Sequence, residues 1–137
     1  MSPKRGDAVR SIVVISDLAD ERYISLTTFR RDGSEVSTPV WVVSDDGRRL
    51  LVWTGSQTWK VKRIRREPRV LVAPSTFRGR ERGPRAEGSA RIIEGFDVKP
   101  LIRRKYGLQM RLLELVSRGE DTSVTIEIVE GSPEPGT

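Results

Sequence analysis

The sequence predicts a mainly β fold, a small barrel with a few short helices. Three observations carry that expectation: about five or six short β-branched or aromatic segments, Asp-Gly turns between the first of them, and no βαβ unit with a glycine-rich turn. With 137 residues the chain has the size of one domain, because two separate cores would each bury too little surface.

Residues 1–8 are polar and include Pro3 and Gly6, and residues 131–137 read Gly-Ser-Pro-Glu-Pro-Gly-Thr. Both are expected as flexible tails around a single domain over 9–130. A short helical turn capped by Ser16 or Asp17 comes first. Tyr23 to Arg30 then reads as a strand, with Ile24, Leu26 and Thr28 on one face. Asp32-Gly33 supplies a tight turn into a second strand, Val36 to Ser44, and Asp46-Gly47 a turn into a third, Arg49 to Thr54. Together they predict a three-stranded meander. Pro39 removes a ladder donor from its middle strand, which points to an edge, a bulge or a backbone that faces a ligand.

The period changes at Thr58 to Arg66, where Val61 and Ile64 share a face, so a short helix is expected before Pro68, with Thr58 as its cap. Val70 to Ala73 is a brief strand, and Phe77 to Pro84 a loop rich in Gly and Arg. Arg85 to Ile93 is a strand whose small residues, Ala86, Gly88 and Ala90, imply a close approach. Phe96 to Tyr106 and Gln109 to Arg118 read as helices, and Ser123 to Glu130 closes the domain as a strand with one polar face.

Composition excludes several kinds of chemistry. The chain has no Cys and no His, so disulfides, thiolate or imidazole metal sites, and Ser/His/Asp or Cys/His triads are not available. Structural metal is not expected, nor is axial ligation of haem by imidazole. Apolar residues are 36% and charged residues 32%, which makes a modest core that dimer formation would enlarge. The apolar run Ile12 to Ile15 is too short for a signal peptide or a membrane span, so a cytoplasmic protein is expected. A net charge of +6 favours an anionic partner.

The densest feature is Lys60-Val61-Lys62-Arg63-Ile64-Arg65-Arg66 after Thr54-Gly55-Ser56-Gln57-Thr58. A helix N-terminus with Ser56 and Thr58 hydroxyls, flanked by Lys60, Lys62 and Arg63, would cradle a phosphate. The same run also suits a solvated amphipathic helix whose Val61 and Ile64 face the core. Arg78-Gly79-Arg80, close to Arg82 and Gly83, can wrap an anion or form a plain surface turn. Trp41, Trp53 and Trp59 fit core or dimer packing, and Arg103-Arg104-Lys105 fits solvated surface. Asp45-Asp46 and Glu120-Asp121 suit a turn and a connector, so no catalytic carboxylate pair stands out and any reactive group would come from a cofactor.

Several motifs recur here in a recognisable order. They are Tyr23-Ile24-Ser25-Leu26-Thr27-Thr28-Phe29-Arg30-Arg31-Asp32-Gly33, Ser37-Thr38-Pro39-Val40-Trp41, Val52-Trp53-Thr54, Lys60-Val61-Lys62-Arg63-Ile64 with Pro68-Arg69-Val70, Arg78-Gly79-Arg80, and Glu87-Gly88-Ser89-Ala90-Arg91. From about Leu18 to the last strand the chain resembles the actinobacterial F420-dependent enzymes grouped with the pyridoxamine 5'-phosphate oxidase-like proteins, the B-type flavin/deazaflavin oxidoreductases.

The resemblance implies a split β-barrel homodimer with a cofactor cleft at the subunit interface. It assigns the anionic end of F420 to Thr54, Ser56, Thr58, Lys60, Lys62 and Arg63, and the ring to the strand around Thr38, Pro39 and Val40. Arg78 and Gly79 would border the cleft. The chain departs from the family in carrying Thr58-Trp59 where a small pair usually precedes the first Lys, and the bulk of Trp59 bears on the anionic end.

The implied function is hydride transfer between reduced F420 and a small organic substrate, with no catalytic side chain required. The alternatives are an FMN-binding oxidoreductase of the same fold, a non-catalytic cofactor carrier, and a nucleic-acid-binding barrel. The last is disfavoured, because the basic run lies on a helix rather than among exposed aromatic strands.

Overall fold

The computed structural model of the chain describes residues 14–116 and 123–131, the last four of the first stretch as backbone only. The expected tails at 1–8 and 131–137, Gly131 excepted, the helix end at Arg118 and the Glu120-Asp121 connector lie outside the described residues.

Six strands form one curled antiparallel sheet: β1 Ile24–Phe29, β2 Glu35–Val40, β3 Leu50–Gly55, β4 Arg69–Pro74, β5 Ala86–Ile93 and β6 Ser123–Glu130. Their spatial order is β2-β1-β4-β5-β6-β3. Among the described residues three α-helices accompany them, α1 Trp59–Arg66, α2 Lys99–Tyr106 and α3 Leu108–Val116. The mainly β expectation therefore holds, and the sheet is a half-barrel. Its two edge strands approach through one bridge just beyond β2, where Val43 and Leu51 exchange backbone bonds of 3.0 and 2.7 Å.

The three-stranded meander does not form. The second strand ends at Val40 rather than Ser44, and β3 pairs along its whole length with β6, from Leu50↔Ile128 to Gly55↔Ser123. That register puts Leu50 and Val52 beside Ile126 and Ile128 in the core. The connection before β3 closes on itself instead: the Asp46 carboxylate accepts from the backbone N–H of Arg48 and Arg49 at 2.8 and 3.0 Å. Of the edge, bulge or ligand-facing positions expected from Pro39, the strand order shows the edge.

Alternate residues on the strands feed two hydrophobic clusters. The larger gathers Ile24, Leu26, Val70, Val72, Ile126 and Ile128, with Val61 and Ile64 of α1 packed into it. Such residues, shielded from water, supply the main drive for folding. The smaller cluster joins Val43 and Leu51 to Val98, Ile102, Tyr106 and Met110, with Trp41 and Trp53 against it. The close approach implied by small residues on β5 has a clear origin. A Cβ on Gly88 would lie 2.6 Å from Ile15 Cδ1 and 2.9 Å from both Ile128 Cγ2 and the Val129 carbonyl oxygen.

Two local expectations need correction. The first turn is a 3₁₀ segment, Ile15–Asp20, with no side-chain cap from Ser16 or Asp17. The Ile15 N–H is bound instead by Glu130 Oε2 at 2.5 Å. Lys105 is likewise not a solvated cation: its ammonium donates to the carbonyls of Ala19, Glu21 and Val42 at 2.9, 2.5 and 2.7 Å. Next to it, the Tyr106 hydroxyl accepts from Val42 N–H at 2.9 Å and lies 2.8 Å from the Arg22 carbonyl. Burial pushes the Tyr106 phenol up to about 12, and burial also lowers the Lys105 ammonium, with Arg22 opposing its charge. Among the described residues no helix is long and apolar enough to cross a membrane.

Candidate functional site

The basic run forms α1 because Val61 and Ile64, three residues apart, fall on one face and bury there, leaving the cations to the remaining circumference. Thr58 occupies the N-cap position in extended conformation, yet its hydroxyl does not cap the helix. Thr58 Oγ1 donates back to the Gly55 carbonyl at 3.1 Å, tightening the turn that carries Ser56. Lys60, on the first turn, is half-buried, and burial, followed by the Arg63 charge, lowers its ammonium.

Between α1 and the β1–β2 hairpin lies an open cleft of about 730 Å³, lined by Trp59, Lys62, Arg63 and Arg66 from the helix and Arg30, Arg31 and Asp32 from the hairpin. Two guanidiniums tie the helix to β1. Arg63 Nε donates to Thr28 Oγ1 at 2.7 Å, and Arg66 Nη2 donates to the Phe29 carbonyl at 2.5 Å. Lys62 Nζ stands 4.7 Å from the centre of the Trp59 ring, a cation–π contact, and that indole is 69% exposed.

Five cations meet one carboxylate in this cleft. Burial lowers the Arg63 guanidinium, and the like charges of Arg30 and Arg66 lower it further, so these groups crowd one another. Arg30 is held at the hairpin by a bond to Ser34 Oγ at 3.2 Å. Asp32 is held below the usual carboxylate range first by the Ser34 backbone N–H, at 2.9 Å, and then by the Ser34 hydroxyl. It therefore remains an anion that neutralises only a fraction of the field. Such an arrangement can hold a ligand that carries several negative charges.

Of the residues singled out from the sequence, Lys62 and Arg63 line this cleft. Thr38, Pro39 and Val40 lie on the exposed edge strand β2, opposite Leu26, Ser25 and Ile24 of β1. The Arg78-Gly79 loop packs onto that strand. Gly79 has φ +95°, and a Cβ there would come within 3.3 Å of Pro39 Cδ. The loop is anchored by Glu81, which accepts from the buried Ser25 hydroxyl at 3.0 Å and from Arg85 at 3.0 and 3.1 Å. Arg85 also reaches Glu35 at the start of β2, at 2.9 Å. The structure thus groups these candidates in two patches joined by β1, with Thr54 at the end of β3, Ser56 and Thr58 in the turn that follows, and Lys60 on the first turn of α1.

Arg30, Arg31, Asp32 and Arg66 also line the cleft, and the sequence does not single them out for it. The available signal was the Arg-Arg pair directly before the Asp-Gly turn, which puts two cations at a hairpin tip. That this tip faces α1 follows from long-range pairing, which spacing along the chain does not report.

A family model described as Pyridoxamine 5'-phosphate oxidase matches residues 15–129. Among solved structures, a conserved hypothetical protein from Mycobacterium tuberculosis is 24% identical with a TM-score of 0.62, over 94% of this chain and 86% of that one. A protein described as F420 Reductase is 18% identical with a TM-score of 0.59, over 85% and 93%. A FAD-binding protein from Mesorhizobium loti is 16% identical with a TM-score of 0.54, over 84% and 85%. No curated protein matches the chain. At these identities the solved structures speak for the fold.

Proposed function

From the premise that the chain belongs to the pyridoxamine 5'-phosphate oxidase family, we propose that it is a flavin-type oxidoreductase whose cofactor is F420 and whose substrate is a small organic molecule. The observation that carries this reading is the cleft of about 730 Å³ in which five Lys and Arg side chains meet one carboxylate. Its size falls in the range of about 300–1,000 Å³ usual for ligand sites. F420 bears a phosphodiester and an oligoglutamate tail, so it presents opposite charge along much of its length, whereas FMN presents a single phosphate. Five cations suit the more anionic molecule better. The likeness to a protein described as F420 Reductase supports the same choice, and the FAD-binding neighbour keeps a flavin nucleotide as the rival.

Lys62, Arg63 and Arg66, with Arg30 and Arg31 from the hairpin, would hold the anionic end. When bound, the deazaflavin supplies hydride transfer, which no side chain of this protein could perform. The chain contributes position and electrostatics. Arg63 is fixed by Thr28 before any ligand arrives, so little ordering cost remains when the cleft fills. The edge strand at Thr38, Pro39 and Val40, with the Arg78-Gly79 loop packed on it, is proposed as the bed for the ring. A second subunit is proposed to cover the open side and exclude water.

Fluorescence titration of the protein with F420 and with FMN tests the assignment. Micromolar or tighter F420 binding, tighter than FMN, is expected, followed by oxidation of reduced F420 in the presence of a suitable acceptor. A protein that binds neither molecule would end this reading.

A further inference from the structure

Residues 98–112 contain five of the 25 Lys and Arg of the chain and none of its 19 Asp and Glu. The other 20 basic residues are nearly balanced by those 19 acidic ones, so the net charge of +6 resides almost wholly on α2 and the first half of α3. Lys105 is turned inward onto three carbonyls, while Arg103, Arg104 and Arg111 are exposed. Among the described residues, neither Arg104 nor Arg111 lies within ion-pair distance of a carboxylate. The same segment exposes apolar surface. Leu108 is 70% and Leu112 53% accessible, four residues apart on one face of α3.

Gly107 joins these features. Its φ of +48° lets α3 begin directly after α2, and its N–H and carbonyl bond to Arg103 O and Arg111 N at 2.8 and 3.1 Å. Around that corner lies a cavity of about 390 Å³ lined by Arg103, Gly107, Leu108, Met110 and Arg111. It shares no lining residue with the cleft beside α1.

We propose that the α2–α3 corner docks on an anionic lipid bilayer, with a headgroup phosphate in the cavity beside Arg111 and with Leu108 and Leu112 at the boundary of headgroups and acyl chains. Its partner must be anionic and apolar over the same few residues, and a bilayer surface with acidic lipids is both. Nucleic acid offers the phosphates but nothing for two exposed leucines, and the aromatic ring of this segment, Tyr106, is buried. A second copy of the chain packed by two-fold symmetry on this face would set one basic segment without an acidic residue against another. The contact is peripheral, and its strength depends on ionic strength.

Co-sedimentation of the full chain with vesicles of phosphatidylcholine, with and without phosphatidylglycerol, tests the proposal. Binding to the mixed vesicles only is expected, weakened by added salt. Leu108→Asp and Arg111→Gln should each reduce that binding about tenfold. Arg48→Gln removes one exposed charge elsewhere and should leave the binding unchanged. Thermal melts and circular dichroism of each variant verify the fold, and the milder Leu108→Gln stands in for Leu108→Asp if the latter does not fold. No preference for anionic vesicles would overturn the proposal. So would equal losses from Arg48→Gln and Arg111→Gln, which mark a diffuse charge effect. Self-association of the free protein that Leu108→Asp abolishes would assign the face to a second copy instead.

Discussion

Arg63 of α1 and Thr28 of β1 are joined by a hydrogen bond of 2.7 Å from Nε to Oγ1, and the threonine is 1% exposed. A buried hydroxyl on the inner strand thereby orients a cation that lines the cleft. The packing of α1 and the proposed anion binding of the site thus share one contact.

Thr28→Val keeps the shape and removes the acceptor. It is expected to lower unfolding stability by about 1–2 kcal/mol, since a charged donor loses its buried partner, and to weaken anion binding severalfold. Urea unfolding and a ligand titration of the same preparation measure both effects. A variant with wild-type stability and affinity would show that the contact is incidental.

Gly88→Ala tests the packing of β5 against the first turn. The added methyl would meet Ile15, Ile128 and a backbone carbonyl, all closer than 3.0 Å, and the backbone atom cannot rotate aside. A loss of about 1–3 kcal/mol is expected, as for other overpacked cores. A thermal melt that coincides with wild type would refute the register of β5 and β6.

Lys105→Met and Tyr106→Phe probe the polar contacts beneath α2. The first removes the ammonium from the Ala19 and Glu21 carbonyls and leaves that of Val42 with the Tyr106 hydroxyl alone; the second leaves the buried Val42 N–H without its acceptor. Each should cost about 1–3 kcal/mol. Because the two side chains share the Val42 carbonyl, each single variant leaves it the other donor, and the double variant should lose more than the sum of the single ones. Strict additivity in chemical unfolding would contradict that coupling.

Glu127 contributes to the acid limb of stability. Burial pushes its carboxyl up, but hydrogen bonds from Arg49 and Arg91, at 2.8 and 2.5 Å, outweigh it and hold the group below its usual 4.5. A folded-state value below the unfolded one means stability that is present above pH 4.5 and lost as pH falls through the folded value. Glu127→Gln should therefore flatten the dependence of stability on pH below 4.5 while lowering it at neutral pH. An unchanged acid slope would mean that other carboxylates carry it.

Much of the fold was legible because alternation and turn chemistry are local. Strands β1, β5 and β6 and helix α1 stand close to where their sequences place them, and Pro39 marks an edge. What escaped was non-local. Nothing near Leu50 announces that it pairs with Ile128 rather than with the preceding strand. Lys105 reads as a surface cation because the carbonyls that bind it come from Ala19, Glu21 and Val42, far away in sequence. The site shows the same division. The run Lys60 to Arg66 is visible as a charge cluster, whereas its companions Arg30 and Arg31 join it only through the curl of the sheet.

The most direct test of the account is calorimetric titration of F420 into the wild-type protein, into Lys62→Ala/Arg63→Ala, and into Arg48→Ala as an exposed control outside the cleft. The account predicts that the double variant loses at least about tenfold in affinity, with the loss shrinking as salt is raised, and that the control binds like wild type. Equal affinity in all three proteins would contradict the assignment of the α1 cleft as the seat of the anionic end of the cofactor.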